Sequence, residues 1–325
     1  MTNLVCRDRT GIKDPEMKKA YPAALEALFA KNDKVLSMDA DLMRAIGTVK
    51  LWRDHPDRVI ECGIAEANMI GAAAGLSSEG YIPLTHTFAA FASRRVMDQI
   101  FMSCAYAKLN VKMIGSDPGV VAQMNGGTHT ANEDIAMMRT LPDVTVVEVT
   151  DTVALPQILE QAVAQYGTFY IRLPRCAVPR VYAQNARLIL GRANVLREGK
   201  DVAIFACGIE VSAALDAAEL LASEGVEATV MDVFTIQPLD RGAILEAAER
   251  TGAVVTAENH SINGGLGSAI AECLGEGCPV PMERVGNLGE FGDVGKLTDL
   301  MKRYHLTAKD IAEKARKVLA RKQTI

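Results

Sequence analysis

Short runs of apolar and β-branched residues alternate with longer segments whose apolar positions recur every three to four residues. In the first half of the chain the short runs predict strands at 35–38, 59–62, 82–85, 111–114, 144–149 and 169–172. The longer segments predict helices at 16–31, 65–79, 89–107, 131–139 and 153–166. A strand that is apolar on both faces, as predicted at 144–147, is typical of a parallel sheet that helices cover on both sides. This half therefore predicts a doubly wound parallel sheet.

The alternation is interrupted over 173–200, where prolines and scattered arginines leave no clear period. It resumes with strands at 202–207, 228–233, 253–258 and 282–285 and helices at 210–224, 240–251, 264–274 and 307–321. At roughly 150 residues per domain, 325 residues also suggest two domains. We therefore predict an α/β protein of two tandem doubly wound domains, over 1–178 and 200–325, with a linker over 179–199.

Composition narrows the class of protein. A hydrophobic fraction of 49% excludes a disordered chain, and no apolar stretch reaches the ~20 residues of a membrane span. The first residues are too polar for a signal peptide. Seven cysteines without a C-x-x-C pair predict reduced thiols in a cytoplasm and no metal site. The net charge of −5, without a basic stripe, argues against nucleic acid as a partner.

One carboxylate stands in an unusual setting. Glu66 begins an Ala- and Gly-rich helix directly after a strand end and a glycine turn. Burial should raise the pKa of this carboxyl, while the helix N-terminus favours its anion. Such a group can hold a proton near neutral pH and exchange hydrogen bonds with a basic heterocycle. The alternative is that Glu66 caps its helix or pairs with an arginine. The small residues of this helix fit close packing in a core or between subunits: Ala67, Gly71, Ala74 and Gly75.

Several segments carry a family resemblance. They are G-I-A-E-x-N-M-x-G-x-A-A-G-L at 63–76, T-F-A-A-F at 87–91, G-G-T-H at 126–129, E-D-I-A-M-M-R at 133–139, Y-I-R-L-P-R at 170–175, E-N-H at 258–260 and G-G-L-G-S-A at 264–269. In this order they resemble the pyrimidine-binding and C-terminal domains of transketolases, over nearly the whole chain. The G-D-G motif of the N-terminal transketolase domain, which holds diphosphate and metal, is absent from the sequence. The chain thus resembles the C-terminal subunit of a split transketolase.

The resemblance implies an activity, a cofactor and partners. A two-carbon ketol unit would pass from a ketose to an aldose through thiamine diphosphate, with Mg²⁺ held by a separately encoded N-terminal subunit. A homodimer of this chain would form part of an α2β2 complex. Glu66 would hydrogen-bond the pyrimidine N1′ and favour its imino tautomer. Phe91 and Phe88 would pack on the pyrimidine ring, and Ile64, Asp41 and Leu42 would line the cofactor.

The resemblance also assigns residues to the sugar. His129 would stabilise the donor carbonyl oxygen and relay protons, and Arg175 would clamp a substrate phosphate; the alternatives are a loop histidine and an interdomain salt bridge. A T-x-x-E capping box at 130–133 predicts His129 just outside a helix N-terminus. The G-G-L-G-S segment at 264–268 looks like a nucleotide fingerprint, but we interpret it as tight helix packing.

The residues expected to contact the substrate differ from their counterparts in transketolases that use sugar phosphates. Asn125 replaces an Asp, Asp117 replaces a phosphate-contacting His, Lys18 lies in an altered Arg-x-x-Ser pattern, and Arg94 replaces a Tyr. An anion at Asp117 would repel a phosphate. Either the substrate is an unusual ketose, such as a branched or sulfonated sugar or one with its anion placed differently, or the anion site is supplied by cations of the partner subunit or by Lys18 and Arg94.

Two further functions remain open from the sequence alone. One is a different thiamine-dependent subunit, similar to deoxyxylulose-phosphate synthase or to the β subunit of a 2-oxoacid dehydrogenase. The other is a non-catalytic partner subunit. Turnover of pyruvate discriminates the first from a transketolase, and loss of activity on replacing Glu66 excludes the second.

Overall fold

The computed structural model describes residues 2–6 and 14–322, which form two sheets flanked by helices. The strands are β1 (Val35–Asp39), β2 (Val59–Glu61), β3 (Ile82–Phe88), β4 (Lys112–Ser116), β5 (Thr145–Glu148), β6 (Phe169–Leu173), β7 (Asn194–Arg197), β8 (Val202–Ala206), β9 (Ala228–Asp232), β10 (Thr235–Gln237), β11 (Val254–Ser261) and β12 (Met282–Asn287).

The helices lie between these strands and against both faces of the sheets. They are α1 (Met17–Lys31), α2 (Met43–Ile46), α3 (Val49–Asp54), α4 (Glu66–Ser78), α5 (Ala89–Ala92), α6 (Met97–Gln99), α7 (Asp134–Arg139), α8 (Ala154–Ala164), α9 (Glu210–Ala222), α10 (Arg241–Thr251), α11 (Leu266–Gly277), α12 (Leu297–Arg303) and α13 (Ala308–Lys322), with a π-helical turn at Ile100–Tyr106 and a 3₁₀ stretch at Gly119–Asn125. No helix within the described ranges is both long and apolar enough to cross a membrane.

The first sheet has the strand order β10-β5-β6-β4-β3-β1-β2, and its strands β1 to β6 run parallel. All residues of β1, β4, β5 and β6 are buried, because helices cover both faces. The second sheet has the order β12-β11-β8-β9-β7. The predicted α/β class is confirmed. Each sheet also carries an antiparallel edge strand, β10 or β7, and β7 lies inside the stretch predicted as the linker.

The two halves of the chain are joined through β10 and a buried arginine. Strand β10 follows β9 in the second half, yet it pairs with β5 of the first sheet. Arg172 on β6 is fully buried and donates to Asp134 Oδ2 at 2.7 Å, to Glu148 Oε2 at 2.6 Å and to the Asn259 carbonyl at 3.0 Å. The two domains are therefore held as one packed unit.

Asn259, at the end of β11, also fixes the loop that follows β4. Its Nδ2 donates to the Pro118 carbonyl at 2.9 Å, and its Oδ1 accepts from the Val120 N–H at 2.9 Å. Gly119 between them has φ of +54°, and a Cβ there would lie 2.5 Å from the Asn259 carbonyl oxygen. A residue of the second domain thus sets the path of a loop that leads to His129.

Replacing Gly119 by alanine should destabilise the protein more than replacing Gly80, which has a similarly positive φ of +85° and open space around its would-be Cβ. The backbone conformation costs about 1–2 kcal/mol in both variants. The clash with Asn259 adds about 1–3 kcal/mol only in Gly119→Ala. Urea unfolding of both variants checks this, and equal losses would show that the loop moves aside freely.

Two predicted helices differ from the structure. The segment 89–107 is divided into α5, α6 and the π-helical turn. The capping box prediction is wrong, because α7 begins at Asp134 and lacks a side-chain cap. Thr130 Oγ1 instead donates to the Gly126 carbonyl, and Glu133 pairs with Arg94. His129 is consequently held by a loop and does not adjoin a helix N-terminus.

Candidate functional site

The predicted site residues gather at the carboxyl ends of the first sheet's parallel strands. Glu66, the first residue of α4, is 4% exposed, so the carboxylate is desolvated as the sequence predicts. It has a counter-ion, since Arg95 Nη1 donates to Glu66 Oε1 at 2.6 Å. The sequence left open that Glu66 caps its helix or pairs with an arginine, and the structure shows the pair with an arginine. The Arg95 side chain is 44% exposed, so the guanidinium reaches the carboxylate from the solvent side.

Next to Arg95 lie three rings that contact one another, those of Phe91, His129 and Phe88. The Arg95 guanidinium carbon lies 3.9 Å from the centroid of Phe91. The His129 ring is edge-on to both Phe91, at 5.0 Å between centroids, and Phe88, at 5.4 Å. Phe88 is buried, whereas Phe91 and His129 are partly exposed. Glu66, Phe91 and His129 thus border one continuous surface, with a carboxylate at one end and an imidazole at the other.

The surroundings of His129 favour its neutral form. Burial lowers the pKa of its imidazole below the ordinary value, and the charges of Arg94 and Arg95 lower it further. Thr128 Oγ1 lies 2.9 Å from His129 Nδ1. A neutral imidazole can both donate and accept a hydrogen bond, as proton relay to an oxygen requires.

Arg94 clamps the loop that carries His129. Its Nη2 donates to the Thr128 carbonyl at 2.6 Å, and its Nη1 pairs with Glu133. The suggestion that Arg94 supplies a substrate anion site is therefore not supported by its contacts, because its charge is matched within the loop.

Arg175 and Asp117 form a two-point ion pair at the other side of Phe88. Asp117 follows β4 with φ of +52° and is 4% exposed. Its Oδ2 accepts from Arg175 Nε at 2.6 Å and Nη2 at 2.5 Å, and its Oδ1 accepts from the Arg175 N–H at 2.8 Å. The Arg175 guanidinium carbon lies 4.7 Å from the Phe88 centroid. The alternative expected for Arg175 was an interdomain salt bridge, whereas the salt bridge that it forms with Asp117 lies within the first domain.

The residues predicted to line the cofactor flank the strand ends. Glu61, which the sequence patterns did not single out, accepts from the N–H groups of Asp41 and Gly63, each at 2.8 Å. Leu42 follows Asp41, and Ile64 follows Gly63 with 76% of its surface exposed. Glu61 therefore ties the ends of β1 and β2 together beside Glu66. Its position at a strand end, two residues before a glycine, is the feature of the sequence that could have indicated this role.

Lys18 and Asn125 lie at the margin of this surface. Lys18 Nζ is 3.2 Å from Glu16 Oε1, and its N–H donates to the Arg175 carbonyl at 3.1 Å. Asn125 is exposed at the end of the 3₁₀ stretch, four residues before His129. Lys18 thus adjoins Arg175 through the backbone, while Asn125 belongs to the loop of His129.

A buried Asp–His–Ser chain supports the sheet under the site. His86 Nδ1 is 2.6 Å from Asp39 Oδ2, and its Nε2 is 3.0 Å from Ser116 Oγ. All three side chains are at most 2% exposed. The order resembles a hydrolase triad, but no substrate can reach Ser116. We interpret it as a link between the ends of β1, β3 and β4.

The G-G-L-G-S segment at 264–268 serves packing. Glu258 accepts from the N–H groups of Leu266 at 2.7 Å and Gly267 at 2.8 Å, and so occupies the N-terminus of α11. A Cβ at Gly264 would lie 2.4 Å from the Ala136 Cβ. The expectation of tight helix packing is borne out by these contacts.

Metal-binding groups are not assembled in the described part of the chain. Across residues 2–6 and 14–322, no three His, Cys, Asp or Glu side chains are placed to hold a metal ion. The cysteines found there are free thiols.

The sequence matches two family models, the transketolase pyrimidine binding domain over residues 13–180 and the transketolase C-terminal domain over residues 191–311. The chain belongs to the transketolase family. All site residues described above, from Lys18 to Arg175, lie within the transketolase pyrimidine binding domain.

Individual transketolase relatives cover the chain almost completely. It is 51% identical over 307 residues to the 6-deoxy-6-sulfo-D-fructose transketolase subunit SqwH of Clostridium sp. (strain MSTE9), 94% of this chain and 95% of that protein. It is 32% identical to an apulose-4-phosphate transketolase subunit of Phocaeicola vulgatus, over 92% of this chain and 96% of that protein. A split-gene transketolase solved as an inactive β4 tetramer has a TM-score of 0.86 and 42% identity, over 94% of this chain and 98% of that one.

Proposed function

We propose that the chain is one subunit of a split transketolase, which transfers a two-carbon ketol unit from a ketose to an aldose through thiamine diphosphate. The observation that carries this proposal is the surface formed by Glu66, Phe91 and His129. It offers a buried carboxylate, an aromatic face and an imidazole whose pKa is lowered. We infer that an N-terminal partner subunit supplies the diphosphate and Mg²⁺ sites.

The residues present fit the pyrimidine half of this cofactor. A flat heteroaromatic ring packs favourably on Phe91 and Phe88, and the exposed apolar side chain of Ile64 extends that surface. When bound, thiamine diphosphate supplies a carbon centre that stabilises the carbanion formed on cleavage of a carbon–carbon bond. The chain's own residues bind and orient the ring and control its protonation.

We assign to Glu66 the hydrogen bond to the pyrimidine N1′. Its burial makes this bond strong, because little water competes for the carboxylate. Arg95 occupies the carboxylate in the structure, and its half-exposed side chain can turn into solvent when a ring takes its place. Glu66 would then exchange its hydrogen bond with the Arg95 guanidinium for one with N1′.

We assign to His129 a hydrogen bond to the carbonyl oxygen of the sugar donor. The lowered pKa of its imidazole favours the neutral ring, and Thr128 Oγ1 at 2.9 Å from Nδ1 orients it. A proton can pass through such an imidazole as the carbonyl becomes a hydroxyl. The clamp of Arg94 on the loop maintains this position.

We propose that the donor is a ketose with a small anionic group at its far end, and we favour a sulfonated ketose. The relative named for 6-deoxy-6-sulfo-D-fructose is 51% identical, and the one named for apulose 4-phosphate is 32% identical. A thiamine-dependent reaction of pyruvate is the alternative activity, and a non-catalytic role is the other.

The exposed face of α4 supports self-association of the chain. Ala67, Gly71 and Gly75 lie on this face, and a Cβ at either glycine would meet no atom within 4 Å. Ala74, by contrast, is buried. Phe101 and Met102, on the π-helical turn that packs against α4, are 45% and 52% exposed. We propose a homodimer through this face, within an α2β2 heterotetramer in the cytoplasm, where the free cysteines stay reduced.

Replacing Gly71 by arginine should weaken this self-association without harming the fold, because the side chain would project into open space on the contact face. Gly275 on α11 is the matched control, since it is also a helical glycine with no atom within 4 Å of its would-be Cβ. Light scattering should give a lower mass for Gly71→Arg only. An unchanged mass would place the interface elsewhere.

Calorimetry with thiamine diphosphate and Mg²⁺ tests the proposed function. We expect tight binding to the complex of this chain with an N-terminal transketolase subunit, and none of comparable strength to this chain alone. The complex should then consume hydroxypyruvate and ketoses but not pyruvate. Equal binding to the lone chain would contradict the shared site, and turnover of pyruvate would favour the alternative enzyme.

A further inference from the structure

The cations around the substrate end of the site are matched by carboxylates. Among the residues that the structure describes, four such pairs border the surface from Glu66 to Arg175. They are Arg95–Glu66, Arg94–Glu133, Arg175–Asp117 and Lys18–Glu16. Burial and the charges of Arg94 and Arg95 lower the pKa of the His129 imidazole, which favours its uncharged form. The formal charge contributed by these groups is therefore zero.

Asp117 is a buried member of this set and is held in place by several hydrogen bonds. It is 4% exposed, and both of its carboxylate oxygens accept hydrogen bonds from Arg175. Its N–H donates to the Leu173 carbonyl at 3.0 Å, which fixes the backbone on the β6 side. The pair is thus built into the ends of β4 and β6 and holds the guanidinium over Phe88.

The ion pair with Asp117 leaves Arg175 with fewer hydrogen-bond donors and less net positive charge for binding an anionic ligand. Asp117 takes the Nε and one Nη2 hydrogen, so the Nη1 side of the guanidinium is what a ligand can bind. The positive charge of Arg175 is also neutralised at short range by the carboxylate. A phosphate monoester carries about −1.5 to −2 charges at pH 7. A sulfonate carries a single charge, and its repulsion by Asp117 is correspondingly smaller.

We propose that Asp117 is a specificity-determining residue, which makes the site accept a ketose with a singly charged sulfonate in preference to the corresponding phosphate. This inference rests on the proposed transketolase function. Asp117 acts by lowering the positive potential at Arg175 and by holding the guanidinium so that its Nη1 side faces the distal group of the donor.

The test compares two donors, 6-deoxy-6-sulfo-D-fructose and D-fructose 6-phosphate, in the complex with the N-terminal subunit. Wild-type protein should show the higher kcat/KM for the sulfonate. Asp117→Asn removes the charge, and asparagine tolerates the positive φ at this position. The phosphate-to-sulfonate ratio of kcat/KM should rise at least about tenfold, or about 1.4 kcal/mol, mainly through KM for the phosphate.

Glu272→Gln is the matched control, because it removes the same charge from another arginine pair, formed by Arg139 of the first domain and Glu272 of the second. Its phosphate-to-sulfonate ratio should equal that of wild type. Equilibrium binding of the two sugars to the complex without cofactor, measured by calorimetry, gives a readout independent of turnover. There too, only Asp117→Asn should gain affinity for the phosphate.

Hydroxypyruvate separates this inference from the proposed function, because it donates the same two-carbon unit with loss of CO₂ and has no distal group. Its turnover by wild type and by Asp117→Asn therefore reports ketol transfer itself, without a contribution from the distal group of the donor. If hydroxypyruvate is consumed but the donor ratio does not change in Asp117→Asn, the inference is overturned and the function stands. If no donor, including hydroxypyruvate, is consumed, both are overturned.

Discussion

Ketol transfer should fall by about 10²–10⁴-fold when Glu66 is replaced by glutamine in the complex with the N-terminal subunit, the range typical of a lost acid–base group. The amide keeps the size of the side chain and can still accept a hydrogen bond, but it cannot exchange a proton with N1′. The loss should lie in kcat, for hydroxypyruvate and sugars alike. Steady-state kinetics at saturating cofactor measures it.

The control for Glu66→Gln is Glu79→Gln, at the exposed C-terminal end of the same helix. It removes an equal charge from α4 and should retain full activity. Circular dichroism should show both variants folded. If Glu66→Gln keeps more than a tenth of the wild-type rate, the carboxylate serves only as the counter-ion of Arg95, and the proposed function loses its main support.

Replacing Arg172 by methionine should destabilise the protein by about 3–5 kcal/mol, the range for breaking a buried ion pair from one side. The side chain is fully buried, and its removal leaves the carboxylates of Asp134 and Glu148 without their cation. Burial already raises the pKa of Glu148 above its ordinary value, although Arg172 opposes this shift. The midpoint of urea unfolding at pH 7 measures the loss.

Arg241→Met is the matched control for Arg172→Met. It breaks the pair with Glu276, in which the two side chains are 50% and 68% exposed, and should cost at most about 1 kcal/mol. Adding Glu148→Gln to Arg172→Met should recover part of the loss, because one buried charge disappears. A loss of less than about 1 kcal/mol for Arg172→Met, no more than an exposed pair contributes, would show that the network does not join the two domains energetically.

The fold was largely predictable because its main strands are locally encoded. The apolar runs that form β4, β5 and β6 are buried on both faces, and this gives a signal within a few consecutive residues. The edge strands β7 and β10 carry no such signal, since each gains its stability from an antiparallel partner elsewhere. The division of 89–107 was also not predictable, because the bend lies between residues of ordinary helical character.

The sequence predicted which residues gather at the site, but it did not predict which of them form ion pairs with each other. Parallel strands bring their carboxyl ends to one edge, so motifs at the ends of β1 to β4 and β6 had to meet. The partners of Glu66 and Arg175 are 29 and 58 residues away in sequence. Spacing gives no information on such pairing. For that reason Asp117 looked like an unmatched anion, and Arg94 like an available cation.

The position of β10 has a consequence for how this protein can be divided. A fragment ending near residue 190 would contain the complete candidate site but would lack the strand that covers β5. The backbone N–H and C=O groups along one side of β5 would then be open to any other extended chain, which is the usual origin of edge-to-edge aggregation. Expression of the first domain alone should therefore give insoluble material, although the sequence suggests a convenient boundary there. Because β10 comes from the second half of the chain but completes the first sheet, the chain cannot be divided at the predicted linker without exposing β5.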